Sequence, residues 1–322
     1  MNRITSEVMK HSKTYVVNFS LIDDENKDEG HSPPFLFYDP LFLSTKPYQP
    51  LQMEMKTASG KMQFIFKLEN NIANSLPQAS FGGVAVEGKV NRLDVVTFYK
   101  QVFSLLRKQG VKQLHVKAHP ACYDTVLFTA QHQVFTCNTS AKTYTDTNAW
   151  LSVEQGNVYR KHLHRSEKNK LNKAHKAGLV CEQLPGYVLP LAYKVIKKNR
   201  VTSGYPVTMQ ENDLAKLFSK MPGKYRLFGV WLENTLIATA VCVEVTPDVL
   251  YTFYLADDHD YRQYSPIVLL IEFICDYAYR LGYRLVDLGT VSNNGVMNHG
   301  LYDFKAHLGA SFCPKCTYVI EL

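Results

Sequence analysis

Between Tyr225 and Leu288 the chain carries an order of elements that few folds satisfy. Three apolar runs, Tyr225 to Leu232, Leu236 to Val245 and Val249 to Ala256, are separated only by Glu233-Asn234-Thr235 and Thr246-Pro247-Asp248. Runs of that length joined by turn-forming residues predict an antiparallel meander. A strongly apolar helix, Pro266 to Leu281, follows; Gly282 ends it, and Arg284 to Leu288 reads as another strand. A helix between two strands demands a crossover, so strands 249–256 and 284–288 are expected to be parallel neighbours. A meander that runs into such a crossover makes a mixed sheet, which places the chain in the α/β class.

The remaining pattern extends the same order. Val153 to Ala177 predicts one long basic helix stopped by Gly178, then a strand at Val180 to Gln183 and helices at Gly186 to Arg200 and Gln210 to Met221. Gly300 to Leu308 predicts a short helix and Ser311 to Glu321 a last strand. In the first half, Tyr15 to Leu21 is β-like and the polar stretch Asp23 to His31 reads as a loop. Met53 to Thr57 and Met62 to Leu68 flank a hairpin turn at Ala58 to Lys61. Asn91 to Gly110 is helical, with Val95, Phe98, Tyr99, Val102, Leu105 and Leu106 at three- and four-residue steps, and Gln113 to Ala118 follows as a strand. A chain of 322 residues is about two domains long, and the division is expected at 1–149 and 150–322.

Charge is concentrated in one place. The formal net charge is +7, and between Arg160 and Lys176 seven cations stand against Glu167 alone. Such a segment is either a solvated helix face or a surface for an anionic partner, and the pattern alone leaves both open. The longest apolar run, Pro266 to Ile274, is interrupted by Glu272 and falls short of the ~20 residues of a membrane span. Met1 to Lys13 is polar, which predicts no signal peptide. The seven cysteines are irregularly spaced and mostly set among apolar residues, as small buried hydrophobes of a reducing compartment are. A cytoplasmic protein is therefore expected. Cys313 and Cys316 form a single CxxC pair without two further ligands nearby, so no metal is predicted. Walker A, Rossmann and Gly-x-Ser-x-Gly patterns are absent.

Four stretches carry a family resemblance. His164 to Leu179 is similar to a basic opening helix that ends in "KA-x-K-x-G". Tyr225 to Val243 holds a hairpin with an "N-x-x-I-A" turn. Asp260-Tyr261-Arg262-Gln263-Tyr264-Ser265-Pro266 leads into the apolar helix and on to Gly282-Tyr283-Arg284-Leu285-Val286-Asp287-Leu288-Gly289. Gly300-Leu301-Tyr302-Asp303-Phe304-Lys305-Ala306-His307-Leu308-Gly309-Ala310 resembles a "G-x-x-x-F-K-x-x-F/L-G" signature. In this order they resemble the GNAT superfamily of N-acyltransferases, and most of all its FemAB-like branch, over 150–322. The first half resembles the branch more loosely: Leu76 to Gly83, with Phe81 and Gly82, is similar to the "P-F-G-G" segment of bacterial members, with Ser80 where the proline stands. The resemblance implies two tandem GNAT-like domains.

It also implies roles. In GNAT folds the acyl donor lies in a gap between two parallel strands, here 249–256 and 284–288. Tyr254, Leu255, Arg262, Ser265 and Pro266 are then the expected donor-binding residues, because the helix start points its dipole at a donor phosphate. Most GNAT enzymes carry Arg/Gln-x-x-Gly-x-Gly/Ala at that start. This chain has Arg262-Gln263-Tyr264-Ser265-Pro266-Ile267-Val268, with both small positions altered, which leaves fewer N–H groups for a diphosphate. Ser265-Pro266 also reads as a plain N-cap with proline at the first helical position. Lys305 matches the lysine implicated at the reacting carbonyl in FemAB-type transferases, where a cation stabilises a developing oxyanion; an ordinary surface lysine is the competing reading. Phe304 is expected to exclude water beside it, and Tyr302 or Tyr254 to give a proton to the leaving group. Asp287, Gly289, Phe81, Gly82 and Arg165 are the expected acceptor-side residues, Asp287 alternatively as a loop cap.

The expected activity is acyl transfer from acyl-CoA or acetyl-CoA to the amine of a small molecule or cell-envelope precursor. One alternative is a FemABX-type transfer from aminoacyl-tRNA, with the basic helix on the RNA backbone. The other is a binding module on a scaffold that has lost activity.

Overall fold

The structure is a computed structural model that describes residues 4–10, 13–21, 33–137, 141–153 and 159–322. The expected loop at Asp23 to His31 lies outside the described residues. The elements run in chain order as β1 (Ile4–Lys10), β2 (Lys13–Leu21), α1 (Pro40–Leu43), β3 (Leu51–Lys56), β4 (Gly60–Glu69), β5 (Ile72–Ser75), β6 (Val84–Gly88), α2 (Arg92–Lys108), β7 (Gln113–Lys117), α3 (Thr125–Thr136) and β8 (Ala141–Ser152). Then come α4 (Tyr159–His162), α5 (Arg165–Lys176), β9 (Val180–Leu184), α6 (Leu189–Thr202), α7 (Glu211–Lys220), β10 (Tyr225–Leu232), β11 (Thr235–Thr246) and β12 (Val249–Asp257). A 3-10 turn at His259–Tyr264 leads to α8 (Pro266–Arg280), β13 (Leu285–Thr290), the two-residue β14 (Ser292–Asn293) and β15 (Val296–Met297), α9 (His299–His307) and β16 (Ser311–Glu321).

These elements form two compact units. The first holds Met1–Thr147, Ser292–Val296 and Cys313–Leu322; the second holds Asn148–Val291 and Met297–Phe312. In the first unit the strand order is β1-β2-β3-β4-β5-β7-β16-β8, with β6 beside β4. The pairs from β1 to β5 are antiparallel, and α2 carries the crossover from the meander to β7, which is parallel to β5. Helix α2 forms as its apolar spacing predicts. Asn91 caps it in a reciprocal capping box with Asp94, and Val95, Phe98, Tyr99, Val102 and Leu106 are buried.

In the second unit the order is β8-β13-β12-β11-β10-β9. β10, β11 and β12 are the predicted meander, and β12 pairs with β13 in parallel. Helix α8 is the crossover. Its buried face, Val268, Leu270, Ile271, Ile274 and Ala278, packs on a core that includes Phe228, Ala240, Cys242, Leu250 and Val286. Truncating a side chain such as Ile274 to alanine there costs about 2–5 kcal/mol. Helix α6 packs against β11 and β12, and α5 packs on α8.

One expected element is corrected. The single basic helix over Val153 to Ala177 is broken: α4 ends at His162 and α5 begins at Arg165. His164 is extended, with φ −58° and ψ 152°, and its N–H donates to the His307 carbonyl at 2.8 Å. That bond to α9 takes the place of a helical one, and the His164 side chain accepts from the Ser166 N–H to start α5 afresh.

Candidate active site

The site begins where two strands part. β12 and β13 share only three parallel pairs: Val249 with Leu285, Leu250 with Val286 and Tyr251 with Asp287. Beyond them β12 runs on to Asp257 and β13 to Thr290, each still paired on its far side, with β11 and β8 respectively. Thr252 sits at the fork, its hydroxyl donating to the Asp287 carbonyl at 2.9 Å. Leu255 lies on the part of β12 past the fork.

Lys305 faces this end of β13. It is 5% exposed, and its ammonium donates to the carbonyls of Leu288 at 2.6 Å, Gly289 at 3.0 Å and Thr290 at 3.1 Å. It is not a surface lysine. Burial pushes its pKa down from 10.5 to about 8, opposed by the nearby Asp287 charge. Three carbonyls converge on one cation because the strand end curls. Gly289 has φ +75°, and its N–H donates to Asp287 Oδ1 at 2.7 Å. Asp287 is 1% exposed and also accepts from Asn148 Nδ2 at 2.8 Å, so its carboxylate caps the loop. Asn148, fully buried, was not legible as a site residue. Phe304 packs partly buried on the core, and the Tyr302 ring stacks on Phe312 with centroids 4.4 Å apart. His307, at the end of the same helix, stacks on His164 at 4.5 Å.

The start of α8 departs from the expected cap. Ser265 is left-handed, with φ 57° and ψ 47°, and its side chain caps nothing. Its N–H bonds back to the Arg262 carbonyl, and the Val268 N–H is spent on the Ser265 carbonyl. The backbone thus keeps the conformation glycine takes most easily, at the position where the GNAT pattern has glycine. Pro266 removes a further donor. Arg262 is held by Asp257, with Nε 2.9 Å from Oδ2 and one Nη 3.2 Å from Oδ1. Arg165 is exposed near the start of α5, as are Lys168 and Lys173, and α5 packs against both α8 and the 3-10 turn 259–264.

Three expected site residues are placed elsewhere. The Tyr254 hydroxyl bonds to Thr208 Oγ1 at 2.8 Å and accepts from the Met209 N–H at 3.1 Å, which ties it to the loop after α6. Phe81 is 1% exposed within an aromatic cluster, 5.1 Å from Phe35 and 4.9 Å from Phe37. Gly82 is a packing glycine: a Cβ there would lie 2.4 Å from Ser75 Oγ, and its N–H donates to the Lys117 carbonyl at 2.7 Å. Both act inside the first unit's core, because apolar bulk and close backbone approach decide their use there. Among the described residues no group of three or more His, Cys, Asp or Glu side chains is placed to hold a metal, and no helix is long and apolar enough to cross a membrane.

A meander, an apolar crossover helix and a parallel pair that parts over a buried lysine are the elements of a GNAT fold. Residues 197–306 match the family described as acetyltransferase (GNAT) domain, so the chain carries that domain. Its fold is that of FemX, with a TM-score of 0.68 at 13% identity, covering 90% of this chain and 94% of that one. It is also similar to the C-terminal domain of a putative lysylphosphatidylglycerol synthetase from Agrobacterium fabrum, with a TM-score of 0.55, 12% identity and 80% of each chain covered. L-PGS from Bacillus licheniformis has a TM-score of 0.55 and 10% identity, with 80% of this chain and 81% of that chain covered. A search of curated protein sequences returns no match.

Proposed function

We propose that the chain transfers an acyl group to an amine, with the donor lying in the opening between β12 and β13 and the reacting carbonyl near Lys305. The observation that carries this reading is the fork itself: three parallel pairs, then two strands that continue apart, with a buried ammonium at the end of one of them. The amine nitrogen attacks the acyl carbonyl, the bond to the donor breaks, and in net a proton passes from the amine nitrogen to the leaving group. Negative charge on the carbonyl oxygen in between is stabilised by the fixed positive charge of Lys305. All three ammonium donors are already spent on main-chain carbonyls, so the stabilisation comes chiefly through its field, which is strong at a buried site. Phe304 keeps water from the intermediate, and Tyr302, three positions before Lys305 on the same helix, is the tyrosine proposed to protonate the leaving group. Asp287 and Gly289 shape the acceptor side.

The first unit repeats the order of meander, crossover helix and parallel strand in β3-β4-β5, α2 and β7. This supports reading it as a second GNAT-like domain, with the boundary near 149. Its own fork is filled: the Gly83 N–H donates to Ser75 Oγ at 2.8 Å and the Gly82 N–H to the Lys117 carbonyl, so residues 81–83 lie between the ends of β5 and β7. The donor is therefore assigned to the second unit.

An acyl-CoA is one donor. A specific observation favours an aminoacyl-RNA: the start of α8 offers few N–H groups to a diphosphate, while the exposed cations of α5 flank it. The acceptor is read as an amine of a small molecule or cell-envelope precursor; the lipid in the name of the lysylphosphatidylglycerol synthetase neighbour supports the envelope side of that reading alone. Melting the protein with CoA, acetyl-CoA, a long-chain acyl-CoA and an aminoacyl-tRNA separates these donors. A donor at 100 times its Kd stabilises by about 2.7 kcal/mol. No shift with any of them contradicts the reading.

A further inference from the structure

Arg262 is aimed by residues the reaction itself does not use. Its guanidinium is bonded along one edge to Asp257, at the end of β12, and its side chain remains 53% exposed. Asp257 is in turn fixed from α6. Asn199, 9% exposed, donates its amide to the Asp257 carbonyl at 2.9 Å and to Asp257 Oδ1 at 2.8 Å. Neighbouring residues hold the same turn. Lys198 bonds Asp258 and Asp260 at 2.8 Å and 2.7 Å, and Ser203 Oγ lies 3.2 Å from His259 Nε2. Four residue pairs, formed by α6 and the Ser203 that caps it, thus hold the segment 257–260 that leads into α8.

Only one of the four reaches a group with an open donor edge. Asp257 carries three donated bonds on two oxygens, from Asn199 and twice from Arg262, so the guanidinium plane is set by a carboxylate that is itself immobilised. A guanidinium bonded bidentately on one edge keeps N–H groups on the other, and that fork matches a phosphate. The lost rotamer freedom of a long side chain is then spent on folding, not on binding.

We infer that Asn199 and Asp257 are positioning residues that hold Arg262 for a phosphate of the acyl donor. The inference rests on the donor lying beside α8. Neither residue touches the donor; both act through Arg262. The phosphate belongs either to a nucleotide diphosphate such as that of CoA or to an RNA backbone.

Equilibrium binding tests this without turnover, so its failure is distinct from a failure of acyl transfer. The probes are CoA and a synthetic RNA acceptor-stem hairpin, measured from low to moderate salt with wild type, Asn199→Ala, Arg262→Ala and the double variant. The expected result is that one probe binds wild type and that each single variant weakens it about tenfold. The double variant then binds as Arg262→Ala does, and each variant lowers the salt slope for the RNA probe by about one unit. Which probe responds tells the two phosphate sources apart. Asp257→Asn, which keeps shape and removes charge, gives the same loss with an unchanged melting temperature within about 3 °C. Wild type that binds neither probe, an Asn199→Ala variant that binds as wild type, or losses that simply add in the double variant overturn the inference.

Discussion

The Lys305 ammonium lies 3.0 Å from the carbonyl oxygen of Gly289, a residue whose own N–H is turned away to Asp287. One cation, one left-handed glycine and one carboxylate together shape the end of β13.

Stability should depend on pH through Lys305. Its folded pKa of about 8 is below its ordinary 10.5, so between those values the unfolded chain binds more protons and stability rises with pH. Below about pH 8 the cost of burying the charge is fully present. Comparing urea midpoints of wild type and Lys305→Met from pH 7 to 10.5 should show wild type gaining on the variant across that window, by up to about 3 kcal/mol. An unchanging difference would show that the lysine is not depressed.

The two left-handed residues should respond in opposite ways to substitution. Gly289→Ala puts a Cβ on a backbone with φ +75° and should destabilise by about 1–2 kcal/mol, read as a lower melting temperature, with activity falling as the Lys305 carbonyls shift. Ser265→Gly relieves a comparable strain at φ +57° and should leave the melting temperature unchanged or raised.

The basic face of α5 is predicted to meet phosphates. Changing Arg165, Lys168 and Lys173 together to glutamine should weaken donor binding and flatten its salt dependence by about one unit per lost contact. If the face only keeps the protein soluble, affinity and slope will both stay as in wild type.

The course of the second unit was legible because its signals are local. The periodicity of Leu236 to Val245, the turn residues between strands and the glycine after α8 each act within a few positions, and the crossover rule turns them into a parallel pair. The first half was legible to the same degree at Asn91 to Gly110. What could not be read depends on partners far along the chain. The helix breaks at His164 because of a carbonyl at His307, more than 140 positions away. Phe81 looks like a recognition residue in a glycine-rich segment until Phe35 and Phe37 surround it. Asn199 is an unremarkable polar residue in an amphipathic helix, and only the position of Asp257 gives it a use. Of the candidate site, Lys305 is singled out in the sequence by its neighbours in a motif, while its burial and its three carbonyl partners depend on how β13 ends.

The central claim is that the positive charge of Lys305 stabilises the oxyanion of acyl transfer. Turnover of Lys305→Ala and Lys305→Arg with the donor found by melting tests it most directly, with kcat and donor affinity measured separately. The account predicts that Lys305→Ala lowers kcat by about 10²-fold or more with donor affinity little changed, and that Lys305→Arg, which keeps the charge without the compact geometry, recovers part of the loss. A folded Lys305→Ala variant with the kcat of wild type would contradict it.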